Sequence, residues 1–369
     1  MSALDTITIK GFRSIKELEG FELNPGVNLF IGANGAGKSN LIAFFRLYRH
    51  FIEGYLAEYF IDYGVVSSHL YNGRKATSKM SFETHFGERG HRYEIQVTAE
   101  GQPAVMNEAR CYDKPSRRWW ELAGGGGVTS RVASEALAQS GQSEYSQPVY
   151  DAVTSWQLYH FHDTSHTANM KQYEIVEDDA YLRADGGNIA PFLLRLKTSH
   201  EGDYRKIVNA IRLVLPFFDD FLLKPRSNGG GEEVNLSWKD QSSDYPFQPY
   251  HLSDGSLRFI GLATALLQPA PPSTIIIDEP ELGLHPHALE ILGELIQTAG
   301  AKTQLIIATQ SESLLNHFSV AEIVTVNRED GQSVFKRLQE EEYQAWLEEY
   351  SLGQLWTKNI IEGGGPSYE

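Results

Sequence analysis

One eight-residue string constrains this chain more than any other feature: Gly32-Ala33-Asn34-Gly35-Ala36-Gly37-Lys38-Ser39. It fits G-x-x-x-x-G-K-[ST], it follows the apolar run VNLFI, and it opens a segment with helical periodicity. The apolar positions Leu41, Phe44, Phe45, Tyr48, Ile52, Tyr55, Leu56 and Tyr59 predict one amphipathic helix from Lys38 to about Phe60. A strand, a glycine-rich turn and a helix in that order turn successive backbone N–H groups inward and add the positive end of the helix, which makes a phosphate cradle. Lys38 is then placed to reach β- and γ-phosphates, Ser39 to offer its hydroxyl to Mg²⁺, and Asn40 lies at the same helix start. The bland alternative is a glycine-rich turn that caps a helix.

The rest of the chain reads as an α/β protein with a mostly parallel core sheet and an antiparallel β subdomain. Strands are expected at ITIKGF, FEL and VNLFI within residues 1–31, and an antiparallel meander over 78–112. Residues 113–150, with the Gly124–Gly127 run, read as a loop holding at most one short helix. WQLYHFH at 156–162 reads as a strand, 187–198 and 202–215 as helices, and FDDFLLKP with EEVNLSW as a hairpin around Asn228–Gly231. From Ser256 helices and strands alternate: strand Thr274–Ile277, helix Pro286–Thr298, strand Gln304–Thr309, helix 311–318, strand Glu322–Val326. Such alternation predicts a parallel sheet.

Three further motifs carry chemistry. Ile275-Ile276-Ile277-Asp278-Glu279-Pro280 is a buried strand ending in two carboxylates. Asp278 is a candidate Mg²⁺ ligand, and Glu279 the candidate general base for an attacking water. Either is otherwise a mere strand end. Leu252-Ser253-Asp254-Gly255-Ser256-Leu257-Arg258 presents Ser253 and the Gly255 N–H at a helix start, a second anion site or simply an N-capped helix. Ala308-Thr309-Gln310-Ser311 ends the next strand, where Gln310 is a polar sensor that orients a water but takes up no proton, or a plain strand-end amide.

Taken together, GFRS, GANGAGKSNL, LSDGSLR, DEPELGLHP and ATQS resemble the RecF/SMC/OLD branch of ABC-type ATPases, and LYHFHDTS, DGGNIAPFLLRL and the terminal YSLGQLW extend the likeness over nearly the whole chain, closest to stand-alone bacterial ATPases. The resemblance implies a P-loop NTPase of the ABC-head type. One lobe would span about 1–115 plus 266–369, and a helical signature lobe with insertions about 116–265. It implies that Ser253 and Gly255 face the γ-phosphate held by a second copy, so that ATP joins two heads into a homodimer. It also implies that Arg13 touches the nucleotide and that Glu281 to Pro286 form a loop crossing that interface. His285 is read there as an interface residue before Pro286 rather than as a base. Gln157 is the candidate lobe-linking, Mg²⁺-sensing glutamine, or else a solvent-facing strand residue. The family's long coiled coil has no counterpart between Lys38 and Ser253. Only 59 residues follow Gln310, with no paired-acid motif of the nuclease domain that OLD proteins append.

Composition narrows the partners. The net charge of −16 opposes non-specific binding of nucleic acid, and the short basic stretches RSIK and SRRWW do not offset it. No apolar run is long enough to span a membrane, and a single cysteine, Cys111, read as a bystander thiol, fits a reducing cytoplasm. The expectation is a cytoplasmic ATPase that binds ATP and Mg²⁺, with Lys38, Glu279 and Gln310 at the chemistry. The resemblance adds a role in DNA maintenance or in defence against phage and mobile elements, with a separate effector such as a nuclease or toxin. The rival readings are an ATP-gated scaffold that does not hydrolyse, and a nuclease built on the HFHD segment, where His160 and His162 share a strand face.

Overall fold

The computed structural model describes residues 3–87, 89–97, 103–111, 119–122, 130–137 and 143–362. The Gly124–Gly127 run, Arg117 and Arg118 of the short basic stretch, and the thiol of Cys111 lie outside what is described.

The chain opens with a hairpin of β1 (Thr6–Phe12) and β2 (Ile15–Glu22), the second strand longer than the expected FEL. β3 (Val27–Ile31) is buried at every position, as a strand covered on both faces must be. Helix α1 (Lys38–Glu53) turns Leu41, Phe44, Phe45, Tyr48, Phe51 and Ile52 inward. It ends at Gly54, whose φ of 89° is left-handed and whose N–H returns to the carbonyl of Phe51 at 3.1 Å. The single helix expected to Phe60 is therefore two, and the chain restarts as α2 (Leu56–Asp62). The apolar spacing runs on through the break because one left-handed residue leaves the side-chain pattern intact.

β4 (Lys79–Phe86), β5 (Arg89–Val97), β6 (Pro103–Cys111) and β7 (Trp119–Leu122) extend the hairpin into a six-stranded antiparallel sheet of order β2-β1-β4-β5-β6-β7. The stretch expected as a loop supplies β7 and two helices, α3 (Arg131–Leu137) and α4 (Ser143–Thr154). Val132, Val149, Ala152 and Val153 are buried with the apolar face of α1. This segment packs beside the helix that the glycine-rich loop opens.

Next come β8 (Gln157–Tyr159), β9 (Glu174–Ile175), α5 (Ile189–Ser199) and α6 (Glu201–Val214). Short strands follow: β10 (Phe218–Phe221), β11 (Arg226–Ser227), β12 (Glu232–Val234), β13 (Trp238–Asp240) and β14 (Pro246–Phe247). The expected hairpin forms at its tip, as β11 with β12, and at its base, as β10 with β13, with the Leu222 N–H on the Ser237 carbonyl at 2.8 Å between them; β12 also pairs with β9 and β13 with β14. The alternating segment gives α7 (Asp254–Leu267), β15 (Thr274–Asp278), α8 (Pro286–Gly300), β16 (Gln304–Thr309) and a four-residue α9 (Glu312–Leu315). β17 (Ile323–Glu329) turns back as β18 (Gln332–Arg337), and α10 (Glu340–Leu347) and α11 (Leu352–Thr357) follow.

The second six-stranded sheet, of order β18-β17-β3-β16-β15-β8, is parallel except for β18. Its strands alternate between two cores. Leu29, Ile31, Ile275, Ile277, Leu305 and Ile307 face α5 to α8, while Phe30, Ile276, Ile306 and Ala308 face α1 and the antiparallel sheet. Period-two alternation on a strand buried on both sides thus builds both layers at once.

One buried polar network ties the antiparallel sheet to α1. The Tyr48 hydroxyl lies 2.6 Å from Thr84 Oγ1 and from His91 Nδ1, and His91 Nε2 lies 3.0 Å from Glu108 Oε1. Glu108 also accepts from Ser130 Oγ at 2.6 Å and from the Arg131 N–H at 2.7 Å, capping α3. Burial alone raises the Glu108 carboxyl, but the bonds from His91, Ser130 and Arg131 outweigh it and hold the group below its ordinary value of 4.5. A lowered carboxylate stabilises the fold fully above its unfolded pKa and loses that contribution as pH falls through the lowered value. The urea midpoint should therefore drop as pH falls below about 4.5, and Glu108→Gln should flatten that acid limb while costing stability at neutral pH.

Candidate active site

Three adjacent parallel strands, β3, β16 and β15, end at one edge, and the residues that follow them meet there. Register places Asp278 beside Ala308, and Ala308 beside Phe30, so the glycine-rich loop, the two carboxylates and Gln310 leave the sheet side by side. The carboxyl edge of a parallel sheet is where α/β folds hold phosphates.

The glycines of the loop answer to close backbone approach. A Cβ on Gly32 would stand 2.2 Å from the Val326 carbonyl oxygen, and one on Gly37, at φ 120°, 2.0 Å from Ser333 Oγ. Ser333 donates to the Ala36 carbonyl at 2.5 Å and lies 2.6 Å from Ser14 Oγ, which also accepts from Asn40 Nδ2 at 2.6 Å. The β1–β2 turn and β18 thus brace the loop from behind. Ser14 was visible only as a letter of GFRS, and Ser333 carried no local signal.

Lys38 is 4% exposed, and its ammonium donates to the loop's own carbonyls, Gly32 at 2.5 Å and Ala33 at 3.2 Å. Burial pulls its pKa down, against the opposing pull of Glu279, Asp278 and Glu281. Ser39, Asn34 and Gly35 are exposed at the mouth. Ser39 hydrogen-bonds Asp278, whose carboxyl is pushed up by burial despite that bond and whose Oδ1 is buried without a partner. A hydroxyl and an unsatisfied carboxylate oxygen at one point suit a hard divalent cation such as Mg²⁺. Glu279 sits at φ 47°, its N–H bonded to the Ala308 carbonyl at 2.7 Å, and its carboxylate accepts from the Gln310 side-chain amide. A non-glycine residue in the left-handed region costs of order 1–3 kcal/mol and persists because its surroundings hold it there.

The structure therefore brings Lys38, Ser39, Asp278, Glu279 and Gln310 together. Ser253 and Gly255 stand apart. Ser253 is exposed and caps α7, accepting from the Ser256 N–H at 3.1 Å. A Cβ on Gly255 would meet the Gly283 carbonyl oxygen at 2.3 Å, so this glycine also packs the signature turn against the 281–286 loop. Arg258 donates to the carbonyls of Phe161, His162 and Leu282, joining α7 to both flanking loops.

Gln157 and Arg13 both make contacts within the chain. Gln157 lies opposite Ile275, three residues before Asp278, which at strand rise is roughly 10 Å from the sheet edge. It accepts from Arg49 at 3.5 Å and does not reach the site; parallel register decides this, and sequence spacing does not reveal register. His162 stands at the edge instead, its Nε2 3.1 Å from the Asp278 carbonyl oxygen. Arg13, at φ 50°, donates to His69 Nε2 at 2.9 Å. Burial, then the Arg13 charge, pulls that imidazole down to about 4, so it is neutral and accepts. Within the 281–286 loop, Leu282, Gly283, His285 and Pro286 are exposed, but Glu281 turns inward. Among the described residues no group of three or more His, Cys, Asp or Glu is arranged to hold a metal, His160 and His162 included. Nor is any helix among them long and apolar enough to cross a membrane.

Gly37→Ala should lower the unfolding free energy by at least about 1–3 kcal/mol, read as a reduced urea midpoint, and should abolish binding of a fluorescent ATP analogue. Wild-type affinity in this variant would refute the bracing described for the loop.

Comparison with known proteins bears on the family and the fold. A family model described as "AAA domain, putative AbiEii toxin, Type IV TA system" matches residues 27–316. The comparison with curated proteins found no match. Among solved structures, the chain is similar to an Smc head bound to the C-winged-helix domain of ScpA, with TM-score 0.58 and 16% identity, over 93% of this chain and 99% of that one. It is also similar to a Pyrococcus furiosus Smc head with an extended coiled coil bound to the C-terminal domain of ScpA, with TM-score 0.56 and 16% identity, over 95% and 99%. At that identity the likeness is one of fold. The chain belongs to this AAA-domain family, and its fold is the P-loop fold of an SMC head.

Proposed function

We propose that this protein binds ATP with Mg²⁺ and hydrolyses it, and that two copies close around the nucleotides. One observation carries the reading: Lys38, the Ser39–Asp278 pair and the Glu279–Gln310 pair converge at one sheet edge. Backbone N–H groups of residues 32–40 cradle the phosphates, and Lys38 exchanges its loop carbonyls for β- and γ-phosphate oxygens. Ser39 and Asp278 would hold the cation, whose chemistry is to neutralise charge on those oxygens. Glu279 takes a proton from the attacking water as the water oxygen bonds to the γ-phosphorus. The bond to the β–γ bridging oxygen breaks, leaving ADP and inorganic phosphate. Gln310 orients Glu279 and the water without titrating.

Ser253 and Gly255 support the two-copy reading. Ser253 is exposed and Gly255 half-buried at the start of a fourteen-residue helix, and among the described residues neither has a hydrogen bond to the glycine-rich loop of its own chain. A phosphate of a second copy's nucleotide would find a hydroxyl, an N–H and a helix N-terminus there. The family description names a toxin of a type IV toxin–antitoxin system. That supports a role for this ATPase in defence or DNA maintenance, working with a separate effector. The net charge of −16 argues against DNA as a ligand bound over a broad surface.

Phosphate release by purified protein should fall roughly 10²- to 10⁴-fold in Glu279→Gln, with ATP still bound. A wild-type rate no higher than the variant's would leave only ATP-gated assembly. Light scattering should find Glu279→Gln dimeric with ATP and monomeric without it, and adding Ser253→Arg should keep it monomeric under both conditions.

A further inference from the structure

The proposed hydrolysis uses Glu279 and leaves a second, inward-facing glutamate unexplained. Glu281 follows Glu279 by two residues, past Pro280, in a turn where the Leu284 N–H returns to the Glu281 carbonyl at 3.0 Å. Its neighbours Leu282, Gly283 and His285 are exposed, yet its carboxylate points back at the end of β16. There Oε1 accepts from the backbone N–H of Gln310 at 2.6 Å. Gln310 in turn gives its side-chain amide to Glu279.

We propose that Glu281 is a positioning residue for hydrolysis, holding the Gln310 peptide so that the Gln310 amide stays on Glu279. The inference rests on the hydrolysis reading above. Glu279 and Glu281 leave β15, and Gln310 leaves β16. Nothing in strand pairing fixes Gln310, because β16 ends at Thr309. The next helix does not fix it either: α9 is capped by Ser311, whose Oγ accepts from the Leu314 N–H at 3.2 Å. The Gln310 N–H lies between ladder and cap, and Glu281 is its acceptor.

The inward pose carries a cost that a purely interfacial residue would avoid. Glu281 Oε2 is buried with no close hydrogen-bond donor, and burial pushes the carboxyl up against the opposing pull of the Gln310 N–H and the Thr309 hydroxyl. A buried oxygen left without a donor forfeits the hydration it had in water. A glutamate turned outward with Leu282 would escape that penalty. The pose is worth its cost where a displacement of Gln310 on the order of 1 Å lowers the rate about 10²-fold.

The test measures ATP turnover and ATP affinity of the full chain in Glu281→Ala, Glu281→Gln, Glu281→Asp, Gln310→Ala and the double variant Glu281→Ala/Gln310→Ala. Glu281→Ala should lower kcat about tenfold or more and leave the Kd for ATP within about threefold. Glu281→Gln keeps an acceptor oxygen and should retain kcat within about threefold. The double variant should be no slower than Gln310→Ala, since both act through one contact. If Glu281→Ala does not fold, Glu281→Asp, which withdraws the oxygen by one methylene, should show the same kcat loss at unchanged affinity. Independent, multiplying losses in the double variant would overturn the proposal. So would a Glu281→Gln as slow as Glu281→Ala, or a loss confined to ATP affinity. Robust wild-type turnover unaffected by Glu281→Ala sinks this inference alone. Wild-type turnover no higher than Glu279→Gln removes the hydrolysis reading, and this inference with it.

Discussion

Everything at the candidate site depends on three parallel strands being buried on both faces. β3, β15 and β16 are almost wholly apolar, and their alternate residues feed two separate cores. A strand so enclosed cannot slip by one residue without exchanging every side chain between cores. Register is therefore rigid, and the loops that leave the carboxyl ends inherit that rigidity. Asp278, Glu279 and Gln310 follow the glycine-rich loop by 239 residues or more, yet the packed strands set them beside it.

The electrostatics of this edge follow from its enclosure. One ammonium, Lys38, faces Asp278, Glu279 and Glu281. Burial shifts Lys38 down and both Asp278 and Glu281 up, so each is nearer its neutral form than in water. Triphosphate added to three carboxylates needs more positive charge than one lysine supplies. The Ser39–Asp278 pair, with its unsatisfied Oδ1, is the place where a divalent cation would bring it. Glu279 in a left-handed conformation, anchored by Ala308 and Gln310, has its carboxylate direction fixed before any ligand arrives.

Much of the site was legible in the sequence because its parts are local. A glycine-rich turn between strand and helix, a run of isoleucines ending in two acids, and a polar residue at the next strand end each state their own geometry. Where reading the chain failed, the deciding information was nonlocal. Gln157 is a glutamine on a strand of the right sheet, and only its pairing with Ile275 shows that it sits too far from the edge. Gly54 lies inside a helical pattern that runs on undisturbed, and its left-handed φ shows only in the folded backbone. The hairpin around Asn228–Gly231 was legible, but not that its arms would each gain a further strand, β9 on β12 and β14 on β13, so that one hairpin spans two small sheets.

The sequence by itself determined the phosphate cradle, the parallel α/β core and the pair of acids, since each follows from spacing within a dozen residues and from which residues must leave water. Only the tertiary structure decided what braces the glycine-rich loop and what holds Gln310 against Glu279. Ser14 and Ser333 meet behind the loop from positions 319 apart, Glu281 meets the Gln310 peptide across two strand ends, and His162 rather than Gln157 stands over Asp278. Contacts of this kind are set by strand order and register, and those are properties of the packed sheet that no single segment encodes.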